Sequence, residues 1–264
     1  MLNLSLKGKT AFVCGSTQGI GKAAAVELAD LGASVVLIAR NVKALNTTMH
    51  ELSRPYDQEH FALVADFSQP DKLEKKLASF LDGRPEAHIL INNTGGPAPG
   101  LIADAKTSEF LDTFNEHLVC NHILAQHLIP HMKSAQYGRI VNIISTSVKQ
   151  PLKNLGVSNT IRAAVASWAK TLANEVAVHG ITVNNVLPGT TATQRLDAII
   201  ENRMKRLNIT DRATVENEMK AEIPVARFAS PQEVAAAIAF LCSPSAAYIN
   251  GINLPVDGGR TLCL

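Results

Sequence analysis

A doubly wound α/β fold, one parallel sheet of about seven strands with helices on both faces, is predicted by three features of the 264-residue sequence. Short β-rich runs alternate with longer stretches of helical period, the order that builds a parallel sheet with crossover helices. The strand runs are nearly continuous in apolar residues, as expected where helices cover both faces of a sheet. A glycine cluster follows the first run directly, at the turn where such folds receive a phosphate.

The first strand is read at 10–14 (TAFVC), followed by a glycine turn and a helix over 20–31. Strands follow at 34–39 (SVVLIA), 60–65 (HFALVA), 88–91 (HILI), 139–144 (RIVNII) and 181–187 (ITVNNVL), with a last short one at 253–256. Helical periodicity fills 41–53, 70–81, 107–133, 157–179 and 231–242 between them. Right-handed crossovers make the open doubly wound sheet the simplest topology for this order. No repeat or Pro/Gly/Ser linker divides the chain, so residues 1–264 are read as one dinucleotide-binding domain. A polar, helix-prone insertion at 193–222 follows the sixth strand at the carboxyl edge of the sheet, and is expected to be a substrate lid.

Composition excludes several functions. Apolar residues make up 46% and charged residues 18%, which suits a compact body with subunit faces rather than a disordered chain. The formal net charge of +2, without a basic run, argues against a nucleic-acid or membrane-surface protein. No secretory signal and no run of about 18 apolar residues is present, so a cytoplasmic setting is expected. Cys14, Cys120, Cys242 and Cys263 lie far apart without a CxxC pair and are read as free, buried thiols. His117, His122, His127 and His131 dot one helix but lack a carboxylate or cysteine companion; surface or interface histidines, and no metal, are expected.

The glycine turn reads Gly15-Ser16-Thr17-Gln18-Gly19-Ile20-Gly21, a GxxxGxG spacing that lets backbone approach a pyrophosphate and opens a helix whose amides face the anion. Further on come Asn92-Asn93-Thr94-Gly95 after the fourth strand, Asn121 in the helix before the fifth, Ser145 at the fifth strand's end, Pro188-Gly189-Thr190-Thr191-Ala192-Thr193 after the sixth and Val256-Asp257-Gly258-Gly259 near the end. In this order, and over essentially the whole chain, the motifs resemble the short-chain dehydrogenase/reductase family, in its classical branch, which includes 3-oxoacyl-acyl-carrier-protein reductases. The resemblance implies that Gly15, Gly19 and Gly21, with Ser16, Thr17 and Ile20 on the same turn, hold the cofactor's pyrophosphate. It implies that Asn92 and Gly95 line the adenine-ribose side, that Asp66 meets the adenine, and that Pro188, Gly189 and Thr193 flank the nicotinamide. For Asn92 and Asn93, turn formation and sheet-to-loop hydrogen bonding are equally expected.

Cofactor choice follows from charge. The second strand ends Ile38-Ala39-Arg40-Asn41, without the carboxylate that would bind a free ribose diol. Arg40 offers a planar, permanent cation for a 2′-phosphate, so NADP(H) is expected in preference to NAD(H).

The centre departs from the family pattern, which pairs the serine with Tyr-x-x-x-Lys starting thirteen residues later. Here Ser158 and Arg162 stand at those places, within Val157-Ser158-Asn159-Thr160-Ile161-Arg162. A serine hydroxyl lacks the acidity of a phenol, and arginine cannot exchange a proton near neutrality. Ser158 is left as a proton relay or a hydrogen-bond acceptor. Arg162 either holds the nicotinamide ribose or clamps an anionic substrate. Lys149, four residues after Ser145, is the candidate replacement acid if its loop encloses it. Tyr137, Tyr56 and Tyr248 fall outside the expected site.

The resulting expectation is an NADP-dependent reductase of a carbonyl or 3-oxoacyl small molecule, with Ser145 and Asn121 orienting the carbonyl and a water chain. An inactive dinucleotide-binding protein, or a dehydration or isomerisation on the same scaffold, are the alternatives. Small and apolar residues along 107–133 and 157–179 (Ala163, Ala164, Ala166, Ala169, Ala173 and Ala177 on the second) suit close helix packing, and with the resemblance imply a homotetramer.

Overall fold

The computed structural model describes residues 1–83 and 86–263. Seven strands form one parallel sheet in the order β3-β2-β1-β4-β5-β6-β7. They are β1 Thr10–Cys14, β2 Ser34–Ala39, β3 Phe61–Val64, β4 Ile89–Asn92, β5 Gly138–Ile143, β6 Ile181–Pro188 and β7 Asn253–Val256. The helices are α1 Gly19–Asp30, α2 Val42–Glu51, α3 Pro70–Leu81, α4 Thr107–Phe114, α5 Cys120–Ser134, α6 Gly156–Val176, α7 Gln194–Leu207, α8 Arg212–Ala221 and α9 Pro231–Cys242. The predicted doubly wound fold is the observed one.

Alternation along the strands builds two cores. Ala11, Val13, Val35, Leu37, Ile89 and Ile91 point to one face and pack with α1 and α9. Phe12, Cys14, Val36, Ile38 and Leu90 point to the other and pack with α3, α5 and α6. Successive residues of a strand face opposite ways, so apolar residues at both parities require helices on both sides.

Strand ends move by a residue where a side chain caps the ladder. His60 and His88, expected inside strands, precede β3 and β4. Their Nδ1 atoms accept from the amides of Val35 and Thr10, each at 3.1 Å. Both rings are buried, and burial holds both below the usual histidine range.

The continuous helix expected over 107–133 is divided. Asn115–Val119 form a π turn between α4 and α5. Such turns carry an extra residue per loop and are frequent at functional sites. Cys14, Cys120 and Cys242 are free and buried as expected, whereas Cys263 is free and exposed.

The insertion folds as a hairpin of α7 and α8 with its own apolar centre of Leu196, Ile200, Val215 and Met219. Asp211 caps α8 by accepting from the amides of Ala213 and Thr214. Arg203 of α7 reaches Glu218 and Glu222, each at 3.2 Å, and joins the two helices. Among the described residues no helix is long and apolar enough to cross a membrane.

Candidate active site

The loops that leave the carboxyl ends of β1, β2, β4, β5 and β6 share one edge of the sheet. The order of the strands reverses between β1 and β4, which opens a crevice there.

The glycine turn is tightly built. Gly15 has φ +58°, and a Cβ on Gly21 would stand 2.2 Å from the Gly15 carbonyl oxygen. Any side chain at Gly21 breaks the turn, so the amides of α1's first turn stay bare. Asn93 braces the loop from β4, donating from Nδ2 to the carbonyls of Cys14 (3.3 Å) and Gly15 (3.4 Å). Ser16 is buried, and its hydroxyl donates to the Ile38 carbonyl at 3.4 Å. Thr193 closes the other side, since a Cβ on Gly19 would lie 3.2 Å from its methyl group. Gly189 donates its amide to Val256 at 2.9 Å, seating the loop after Pro188 on β7.

Beside this turn lies a cavity of about 300 Å³ lined by Thr17, Lys22, Asn41 and Lys43. Lys22 is engaged by Glu51 at 2.5 Å. Lys43 and the exposed Arg40 carry no ion pair among the described residues. Asp66 sits near Arg40. Slight burial alone would raise this carboxyl, but hydrogen bonds from Ser68 and Gln69 and the Arg40 charge bring it below its usual value. Glu116 behaves oppositely and is raised, chiefly by burial. The bare turn and the two cations fit a dinucleotide with an extra phosphate.

Asn92 is committed elsewhere. Its Nδ2 donates to Asn142, whose Nδ2 donates to Asn185, whose Nδ2 donates to Asn253, each at 2.8 Å. The four residues are register partners across β4, β5, β6 and β7. The side chain of Asn92 therefore ties strands together, and its Oδ1 is buried without a partner among the described residues.

At the end of β5 the Ser145 hydroxyl oxygen accepts from the Ser147 amide at 3.1 Å. Among the described residues no acceptor takes its own proton. Ser158 is buried in the first turn of α6. One turn later Arg162 donates from Nη1 to the Ile143 carbonyl at 3.1 Å, reaching back under the end of β5. Burial, then the nearby Arg195 charge, lowers this guanidinium to about 10, so it stays cationic at neutral pH. Lys149 is exposed. It is not the enclosed lysine that the sequence reading asks for. Tyr137 is also excluded, because its hydroxyl donates to the Cys242 carbonyl and burial pushes it up to about 12. Asn121 is buried in α5, without a side-chain hydrogen bond to Ser145, Ser158 or Arg162.

Two site residues escape the sequence reading. His117 of the π turn, one turn before Asn121, meets the loop that follows β4. Far from the surface position expected for it, it is 4% exposed, with Nε2 2.9 Å from the Gly95 carbonyl oxygen. A carbonyl only accepts, so Nε2 carries the proton. Burial first, then the charges of Arg162 and Arg195, drive its pKa down to about 3. Arg195, in the first turn of α7, donates to the carbonyls of Gly96 and Pro97, both at 2.9 Å. Among the described residues no histidine, cysteine or carboxylate group is arranged to hold a metal ion.

Comparison with known proteins identifies the family. A family profile described as enoyl-(acyl carrier protein) reductase matches residues 15–261. The NADPH-dependent reductase BacG of Bacillus subtilis is 31% identical over 252 residues, covering 95% of this chain and 97% of its own. The 3-oxoacyl-[acyl-carrier-protein] reductase FabG of Vibrio cholerae is 33% identical over 259 residues, with 97% and 98% covered. A crystal structure of L-sorbose reductase from Gluconobacter frateurii, complexed with NADPH and L-sorbose, superposes with a TM-score of 0.93 at 31% identity, both chains covered in full. The chain belongs to the short-chain dehydrogenase/reductase family, among relatives of the 3-oxoacyl-acyl-carrier-protein reductases.

Proposed function

We propose that this protein is an NADPH-dependent reductase of a small carbonyl or 3-oxoacyl compound, with a non-standard route for the proton. The observation that carries the proposal is the bare glycine turn beside Arg40 and Lys43, with no carboxylate at the end of β2. Arg40 and Lys43 would hold the 2′-phosphate. Gly15, Gly19, Gly21, Ser16, Thr17 and Ile20 would meet the pyrophosphate, Asp66 and Gly95 the adenosine side, and Pro188, Gly189 and Thr193 the nicotinamide side. BacG and the L-sorbose reductase, both named with NADPH, support the same cofactor.

When bound, NADPH supplies a hydride to the carbonyl carbon. The carbonyl oxygen takes one proton, so ketone, NADPH and H⁺ become alcohol and NADP⁺. The Ser145 hydroxyl, with its oxygen already engaged by Ser147, donates to the substrate oxygen. Ser158 relays the proton from water. Arg162 holds charge but gives up no proton. The α7–α8 hairpin over 193–222 acts as the substrate lid of a single-domain, cytoplasmic protein. The small-residue face of α6 serves a homotetramer, and a monomer by light scattering would contradict that assembly.

The cofactor reading is tested by titrating NADPH and NADH into the protein. NADPH is expected to bind at least about tenfold more tightly, and Arg40→Asp to reverse the preference. Tight NADPH binding without oxidation across a broad carbonyl panel would instead favour a binding or sensing protein, the reading that the Ser158 and Arg162 replacements support.

A further inference from the structure

Two guanidinium groups converge on the loop that follows β4. Arg195 reaches it from α7 and spends two of its donors on the Gly96 and Pro97 carbonyls. Arg162 reaches it from α6 and spends Nη1 on Ile143, leaving Nη2 with no hydrogen bond among the described residues. A methyl group built on Gly96 would lie 3.3 Å from Nη2 of Arg162 and 3.0 Å from Nη2 of Arg195. Both guanidinium tips thus lie against the same bare face of Gly96, and a side chain at that position would push them away.

No acidic side chain among the described residues balances this pair. Neither arginine forms an ion pair among the described residues, whereas Arg203 and Arg212 on the same helical hairpin each hold two carboxylates. His117, beside them, is neutral, its Nε2 proton already given to Gly95. Two cations held together without a counter-charge repel, and a two-oxygen anion removes the repulsion while accepting from the N–H groups that the loop carbonyls leave unused. Arg162 lies one helical turn after Ser158, so an anion on this pair sits next to the carbonyl-reducing centre.

We infer that Arg162 and Arg195 form a carboxylate clamp and that the substrate reduced here is an oxo acid rather than a neutral ketone. The inference rests on the reductase reading. The same chemistry has a second source, the cofactor's own pyrophosphate, because Thr193 abuts the glycine turn only two residues before Arg195.

The experiment compares acetoacetate with methyl acetoacetate, and adds malonate as a dianion that cannot be reduced. Calorimetry on the protein with and without NADPH gives affinities, and NADPH oxidation gives kcat/KM. The acid is expected to bind and react at least about tenfold better than its ester. Arg195→Gln should erase that advantage, and Arg195→Lys, which keeps the charge but not the fork, should restore only part of it. Equal affinity for acid and ester in the NADPH-loaded protein overturns the clamp while leaving the reductase reading intact. A loss of NADPH affinity in Arg195→Gln as large as the loss for malonate overturns it in favour of the pyrophosphate. If NADPH does not bind at all, the reductase reading fails, and malonate binding to the NADPH-free protein still decides the clamp.

Discussion

His117 shows what a single side chain contributes when its partners come from distant parts of the chain. Its ring is buried against the Gly95 carbonyl, and burial with two neighbouring arginines holds it neutral down to about pH 3. The unfolded chain takes up a proton on this residue near its ordinary value of about 6.5, while the folded chain does not. Its contribution to stability is therefore present above about pH 6.5 and is lost progressively as the pH falls toward 3. His60 and His88 are lowered as well and add slope of the same sign. His117→Asn should flatten the decline of Tm between about pH 7 and pH 4 without abolishing it, as read by thermal melts across that range. Ser158 and Arg162 offer a second test. Ser158→Tyr combined with Arg162→Lys restores a phenol beside an ammonium, and should raise kcat for a neutral ketone by about 10²-fold, a typical gain from a positioned acid. No gain in a folded variant would show that proton delivery does not limit the native reaction. Ser145 and Arg40 stood out at strand ends, and Ser158 and Arg162 through their spacing from Ser145 in the pattern of the resembling family. His117 and Arg195 were not, because their roles come from loop carbonyls 22 and 99 residues away in the chain.

Among the elements, strands were easier to read than helix interiors. Buried parallel strands are short apolar runs bounded by polar turns, so each end of β1 to β7 lies within a residue of its expected place. The π turn over Asn115–Val119 left no local mark, since its residues differ little from those of an ordinary helix. The α7–α8 hairpin was legible as a polar, helix-prone insertion, but its apolar centre of Leu196, Ile200, Val215 and Met219 appears only when the two helices are laid together. Its second helix starts at Asp211, which satisfies two otherwise unpaired amides. Asp211→Ala should destabilise α8 by about 1 kcal/mol. Hydrogen exchange is expected to show faster exchange across 212–221 with the sheet amides unchanged. Equal acceleration throughout would mean that the hairpin and the sheet open as one unit.

Across the whole molecule, the doubly wound sheet was legible, because apolar residues at both strand parities require helices on both faces and right-handed crossovers make the open sheet the simplest arrangement. The row of asparagines that crosses it was not, since it depends on register between strands far apart in sequence. Asn142 sits at the second place in that row and is fully buried. Asn142→Ala would strand a donor on Asn92 and an acceptor on Asn185, and should cost about 2–4 kcal/mol, measured by denaturant unfolding. A change under about 0.5 kcal/mol would show that the row adds nothing to the sheet. The row also has a sense of direction. Every amide donates toward β7, from Asn92 through Asn142 and Asn185 to Asn253, so none can turn over alone without setting like against like. The four amides reverse together or not at all. Whether Asn92 turns its oxygen or its nitrogen away from β5 is thus tied to the group that closes the row at Asn253, three strands away on the sheet's far edge.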